Sequence, residues 1–424
     1  MATDVDVQYF SHLNGLTLDN NWGDLIRLLD KALVTGIDFT QITAASIDEQ
    51  GDVHITLYAA HNAMLFQVVE LSGFTPASLN QKYRIKGVPS ATLLILKPKT
   101  DIIEHSITTI GTGKLASLGY DIIFRDANDV KRVYRAKDPT AQHPFIRVDE
   151  TISDGVNSYN SAYAKYAMVG LIENMMHIDD YIDQNKLQLP LDITDFSKNW
   201  KIVGTGSASI RGWHKWYWAR NTDAFNGSSD STQPSTGSRQ FSICGDMNAF
   251  YFITPMIASG NPPRKVIYGC GLYNPSIVNL SENWFLMSLP LSSAAGSNID
   301  MSGTDKATPL VSGNTALKLQ YFTCTGFSGV NKIINSVDAI PITPDLKSGS
   351  SGLFSASSIA ALEIPFYDSN KYIRGNLKHI HYAGDDLSGL IKTRPLLSEN
   401  SMYMQESVMT HNTFGGVNFY LGEI

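Results

Sequence analysis

The segment HIHYAGDD sets His379 and His381 two residues apart and follows them, after a glycine turn, with Asp385 and Asp386. On a strand, residues i and i+2 share a face, so the two imidazoles can address one transition-metal ion and Asp385 can complete the set. No further histidine or glutamate is placed by motif, and a metal is not expected. GTGKLAS, from Gly111, looks at first like a phosphate loop. That motif needs a glycine at position 108 and a hydroxyl after the lysine, where this chain has Thr108 and Leu115. There is no G-x-S-x-G elbow, H-E-x-x-H helix or close-spaced Cys/His signature, so neither catalytic residues nor a cofactor site are expected.

Two other segments concentrate charge and aromatic surface. VYRAKDPTAQHPFIRVDE reads as a hairpin, with strands Val133 to Ala136 and Phe145 to Asp149 around a loop holding Pro139 and Pro144. Alternation places Tyr134, Ala136, Ile146 and Val148 on one face and Arg135, Arg147 and Asp149 on the other. The second face is either a solvated ionic surface or a contact surface, since arginine forks carboxylates and is enriched at interfaces. RGWHKWYWARN holds three of the six tryptophans. Such a cluster anchors a core or an interface, or serves as a platform for sugars.

The elements that must position these residues are mostly strands. Only 17% of the 424 residues are charged, against about 25% in ordinary domains, while glycine numbers 33. The net charge is −7, and no run of lysine or arginine offers what a phosphate backbone selects, which excludes ordinary nucleic-acid binding. No apolar run reaches the ~20 residues that span a bilayer, and MATDVDVQYF lacks the basic-then-apolar order of a signal peptide. Membrane insertion is not expected, and synthesis is expected in a cytoplasm. Cys244, Cys270 and Cys324 are too few and too far apart for a disulfide framework and read as free, buried thiols.

DNNWGDLIRLLDKALVTG predicts an amphipathic helix. Asn20 or Asn21 would cap it, Trp22, Leu25, Ile26, Leu29 and Leu33 would form its apolar stripe, and Gly36 would stop it. Period-two patterns from Ile37 to about Ile110 predict a small closed or nearly closed β-barrel. YAKYAMVGLIENMMHIDDYID permits a long helix or a strand followed by a helix, and Gly170 weighs against the single helix. RQFSICGDMNAFYFITP predicts a hairpin turning at Asp246 to Asn248. NGSSDSTQPSTGS, from Asn226 to Ser238, predicts an exposed polar excursion. The fold expected is mainly β and multi-domain: an arm and helix over 1–36, the small barrel over 37–110, a mixed β domain over 111–225 and a β-rich, sandwich-like domain over 239–424.

The order SLNQKYRIKGV, VYRAKDPTAQHPFIRVDE, YAMVGLIENMMHID, FSICGDMNAFYFI, VIYGCGLY and YIRGNLKHIHY resembles a family of tailed-bacteriophage virion proteins. Its members carry a capped N-terminal helix, a small barrel with His-Gly and Leu-Asn-Gly turns, a VYR…DP…RVD hairpin, a GD…FY hairpin and a near-terminal RG.L strand. This chain departs at His61-Asn62, at Asn80-Gln81 and at Cys270-Gly271-Leu272, where the family has His-Gly, Asn-Gly and Phe-Gly-Asp. The resemblance implies a structural, non-enzymatic component of a phage tail, in the baseplate or distal tail. Its partners would be other tail proteins and copies of itself, and its location the virion. On that basis Arg135, Arg147 and Asp149 would form an inter-domain or inter-subunit contact. The alternatives are a receptor-binding adhesin using the aromatic cluster on a host-surface glycan, and a tail-associated hydrolase.

Overall fold

The computed structural model describes residues 3–152, 159–205, 209–221, 230–258, 265–276, 282–290, 310, 321–328, 331–342, 361–383, 387, 390, 392–410 and 413–424. The protein is mainly β, built from antiparallel sheets with few helical turns.

The helix forms where its apolar stripe predicts it. It runs over Asp24–Leu29, continues as a wider π-helical turn over Asp30–Thr35, and ends at Gly36, whose φ of 72° suits a glycine. Leu25, Ile26, Leu29 and Leu33 are fully buried, while Trp22 is half-buried. The cap differs from expectation. Glu150, distant in sequence, accepts the N–H groups of Gly23 and of Ile26, the latter at 2.9 Å, so neither Asn20 nor Asn21 serves. A buried carboxylate aimed at a helix N-terminus satisfies orphan donors and opposes the positive end of the dipole.

Seven strands follow, in the order Ile37–Asp38, Thr112–Leu115, Val68–Ser72, Lys82–Ser90, Leu93–Pro98, Val53–Leu57 and Ile42–Ile47. The two outermost strands are joined by residues 39–41 alone, a connection too short to cross an open sheet of this width. The sheet is therefore curled. A Cβ added to Gly113, on the strand next to one edge, would meet Ile42 on the other edge at 3.4 Å. Among the described residues no ladder joins the two edges, which makes this a half-barrel, with Thr112–Leu115 extending it past the expected limit. Along Val53–Leu57 the odd residues are buried and the even ones half-buried, the pattern of a one-sided core.

A second sheet pairs Tyr120–Arg125, Lys131–Ala136, Phe145–Asp149, Lys165–Ile172 and His214–Ala219 in that order. YAKYAMVGL is thus a strand, and a short helical turn, Asp180–Ile182, follows it. Gly170 has a packing reason: a Cβ there would stand 2.8 Å from the Trp200 ring.

A third sheet pairs Gln8–Ser11 with Ser242–Gly245, then Ala249–Pro255, Lys265–Leu272, Trp284–Pro290, Tyr321–Ser328 and Asn331–Pro341. The predicted turn at Asp246 to Asn248 is present. Asn331–Pro341 also pairs with Ala361–Asp368, which leads through Ile373–Ala383, Thr413–Glu423 and Ser401–Thr410 to Arg394–Ser398. The N-terminal arm is therefore a strand of the C-terminal region's sheet. Cys244, Cys270 and Cys324 are free and buried.

Candidate functional site: buried cations and their aromatic partners

The hairpin behaves as alternation predicts on one face only. Tyr134, Ile146 and Val148 enter the main core. The opposite face is no surface, because Phe145–Asp149 is a central strand and the chain from 173 to 200 folds back across it. Val133, Phe145, Met168, Ile172, Met175 and Trp200 make a second, smaller core there.

Arg147 lies inside this core, fully buried. Its Nη1 donates to Asp149 at 3.0 Å, Nη2 to Asp179 at 2.9 Å and Nε to the Ile178 carbonyl at 2.7 Å. The guanidinium stands 4.3 Å from the Trp200 ring centre and 4.7 Å from that of Tyr181. Burial alone would push the Asp149 carboxyl up; Arg147 and Lys131 overcome this and hold it below its ordinary value. Of the two contacts expected of Arg147 and Asp149, inter-domain or inter-subunit, burial leaves neither side chain free for a second subunit. Both are spent within the chain, joining the hairpin to the 173–200 segment. Arg135 differs. It is half-buried, with its guanidinium 4.5 Å from the Phe145 ring centre.

The aromatic cluster is likewise interior. Trp216 and Trp218 are fully buried, and Trp216 stacks on Tyr268 at 5.7 Å, while Trp213 is half-buried with Lys198 over its ring. Tyr217, on the same strand, meets Tyr166 at 4.7 Å, and Trp22 meets Tyr159, Tyr166 and Trp218 at 6.1, 6.5 and 6.0 Å. Four cations gather on these rings. Arg211 lies 4.5 Å from Trp22 and 4.6 Å from Tyr166, and Lys215 lies 4.1 Å from Tyr166. Lys165 lies 5.3 Å from Trp22 and Arg220 lies 5.3 Å from Tyr217. Cation–π contacts this well desolvated contribute about 2 kcal/mol each.

Asp230 is the carboxylate of the cluster, held by the Tyr217 hydroxyl at 2.6 Å and by Arg220 at 3.3 Å. Burial lowers the ammonium of Lys165 to about 8 and that of Lys215 to about 8. Sequence reasoning marked the segment that carries Arg211, Lys215 and Arg220 but did not join it to Trp22, Tyr159 and Lys165, which arrive from two other segments. Only strand pairing, Tyr166 opposite Tyr217, could have announced them.

His379 and His381 do not converge as alternation predicts. Between Asn376 and His381 the strand bulges, and His379 takes a φ of 62°, which breaks the period of two. His379 Nε2 meets Asp246 at 3.1 Å, whereas His381 stacks on Tyr420 at 6.0 Å. Asp385 and Asp386 lie outside the described residues. Among those described, no group of three His, Cys, Asp or Glu side chains is placed to hold a metal.

The sequence matches no known protein family and no curated protein. Among solved structures it is similar to a phage phi92 endosialidase, at 8% identity and a TM-score of 0.13, over 92% of this chain and 51% of that one. The chain thus spans about half the length of that protein, and a likeness this slight carries no argument about fold or activity.

Proposed function

We propose that this protein is a structural component of a bacteriophage tail, a rigid block that contacts neighbouring tail proteins and copies of itself. The resemblance of its ordered motifs to tailed-phage virion proteins supports the reading. One structural observation carries it furthest. Arg84, fully buried, donates to four backbone carbonyls: Asp4 at 2.8 Å, Val7 at 3.0 Å, Phe66 at 2.6 Å and Leu421 at 2.8 Å. One side chain thereby joins the arm, the half-barrel and the last strand. Asp4 and Glu423 add a backbone hydrogen bond at 3.0 Å. A block that must transmit force without opening is well served by such closure.

Contacts with neighbours fall most naturally on the 173–200 segment. Met176 is 85%, Ile182 66% and Ile193 64% exposed, large apolar side chains of the kind that subunit interfaces cover. Trp216 and Trp218 are buried, so neither supplies the aromatic platform that an adhesin reading would draw on. Quantitative mass spectrometry of purified virions of the encoding phage tests the proposal. It predicts several copies of the chain per particle, and absence from washed particles would overturn it.

A further inference from the structure

Around Trp22 the cations Lys165, Arg211, Lys215 and Arg220 gather on aromatic rings. Arg220 has Asp230, and the Lys165 ammonium donates to the Tyr163 carbonyl. Arg211 and Lys215 are 0% and 2% exposed, yet among the described residues no carboxylate pairs with either. Arg211 donates through Nε to the Thr151 carbonyl and through Nη1 to that of Tyr166 at 3.5 Å, while its Nη2 is buried without a partner. Nearby donors are also unused. The indole N–H of Trp218, whose ring meets Trp22, has no acceptor, and neither have the hydroxyls of Thr151 and of Ser209, two residues from Arg211.

A buried guanidinium N–H without an acceptor costs free energy, so a fold that retains one has a use for it. The buried groups without a partner are donors: a guanidinium N–H, an indole N–H and two hydroxyls. Donors of this kind, with a guanidinium and an ammonium on the Tyr166 ring, suit a ligand that only accepts hydrogen bonds and carries negative charge. The other nearby acid, Glu150, is committed to the helix N-terminus through Gly23 and Ile26.

We propose that Arg211 and Lys215 form an oxyanion-binding site, walled by Trp22, Tyr166 and Trp218, that takes a phosphate group. The group can come from free inorganic phosphate or from the end of a small phosphomonoester. The lowered pKa values of Lys165 and Lys215 fit this reading, because cations that burial penalises gain most from an added anion.

The test is thermal unfolding of the full chain against increasing inorganic phosphate, with ionic strength held constant by sodium chloride. A ligand bound to the folded state raises the midpoint saturably, by about 2 to 5 °C at a hundredfold excess over Kd. Lys215→Met and Arg211→Gln should each weaken the response at least tenfold, and Lys31→Gln, at an exposed lysine, should leave it intact. Glycerol 3-phosphate distinguishes the sources: a response to both ligands assigns the group to a monoester, and a response to phosphate alone assigns the free ion. Should the two variants fail to fold, tungstate located by anomalous scattering in wild-type crystals decides the matter, and density beside Arg211 and Lys215 supports the site. A rise that does not saturate, an equal rise in folded Lys215→Met and Arg211→Gln, or tungstate bound only elsewhere would overturn it.

Discussion

Arg147 and Glu150, three residues apart, show how burial turns a charged side chain into a structural part. Removing the guanidinium leaves Asp149 charged and buried, so Arg147→Met should cost about 3 to 5 kcal/mol in denaturant unfolding. Replacing both as Arg147→Met with Asp149→Leu should recover most of that loss. A single variant within about 0.5 kcal/mol of wild type would remove Arg147 from the core's support. Glu150 makes a pH prediction. Burial raises its carboxyl from 4.5 to about 7, against the pull of the Gly23 and Ile26 N–H groups. The folded protein thus holds this proton more tightly than the unfolded chain does. The stability it brings is complete below 4.5 and is lost as pH rises through about 7. Glu150→Gln should abolish that decline, of up to about 3 kcal/mol, measured as unfolding free energy from pH 4 to 8. An unchanged slope would place the titration elsewhere.

At the scale of elements, periodicity reads one face of a strand and stays silent about what covers the other. Tyr134, Ile146 and Val148 were legible as core because alternation is local. Asp179 and Trp200, which cover Arg147, come from irregular chain without a period, and so the ionic face read as surface. The helix was legible from Leu25, Ile26, Leu29 and Leu33, but its cap was not, because Glu150 reaches it through tertiary structure. The histidine strand misled for a related reason: a bulge at His379 resets the alternation and leaves no mark in composition. Gly170 tests this view of coverage. Gly170→Ala should push the Trp200 ring off Arg147 and cost about 1 to 3 kcal/mol, with a shift in tryptophan emission. Wild-type stability and emission would show that the 173–200 segment rests loosely on its sheet.

Across the whole molecule, segments far apart in sequence are joined through buried polar groups as well as apolar ones. Arg84 satisfies carbonyls from three regions, and nothing in the local pattern of YRIKG marks this arginine as different from its neighbours. Arg84→Met should leave four carbonyls, three of them buried, short of donors, cost upward of about 3 kcal/mol, and speed amide exchange first near residues 4–8 and 419–423. Uniform acceleration over the chain would mean that the arginine supports the fold generally and does not join those strands in particular. A body closed in this way suits an assembly, and the assembly itself is the claim most worth testing. The direct measurement is a cryo-electron microscopy reconstruction of the tail of the phage that encodes the chain. The account predicts this fold in several symmetry-related copies, with Met176, Ile182 and Ile193 covered by a neighbour. A tail map fully explained by other proteins would contradict it.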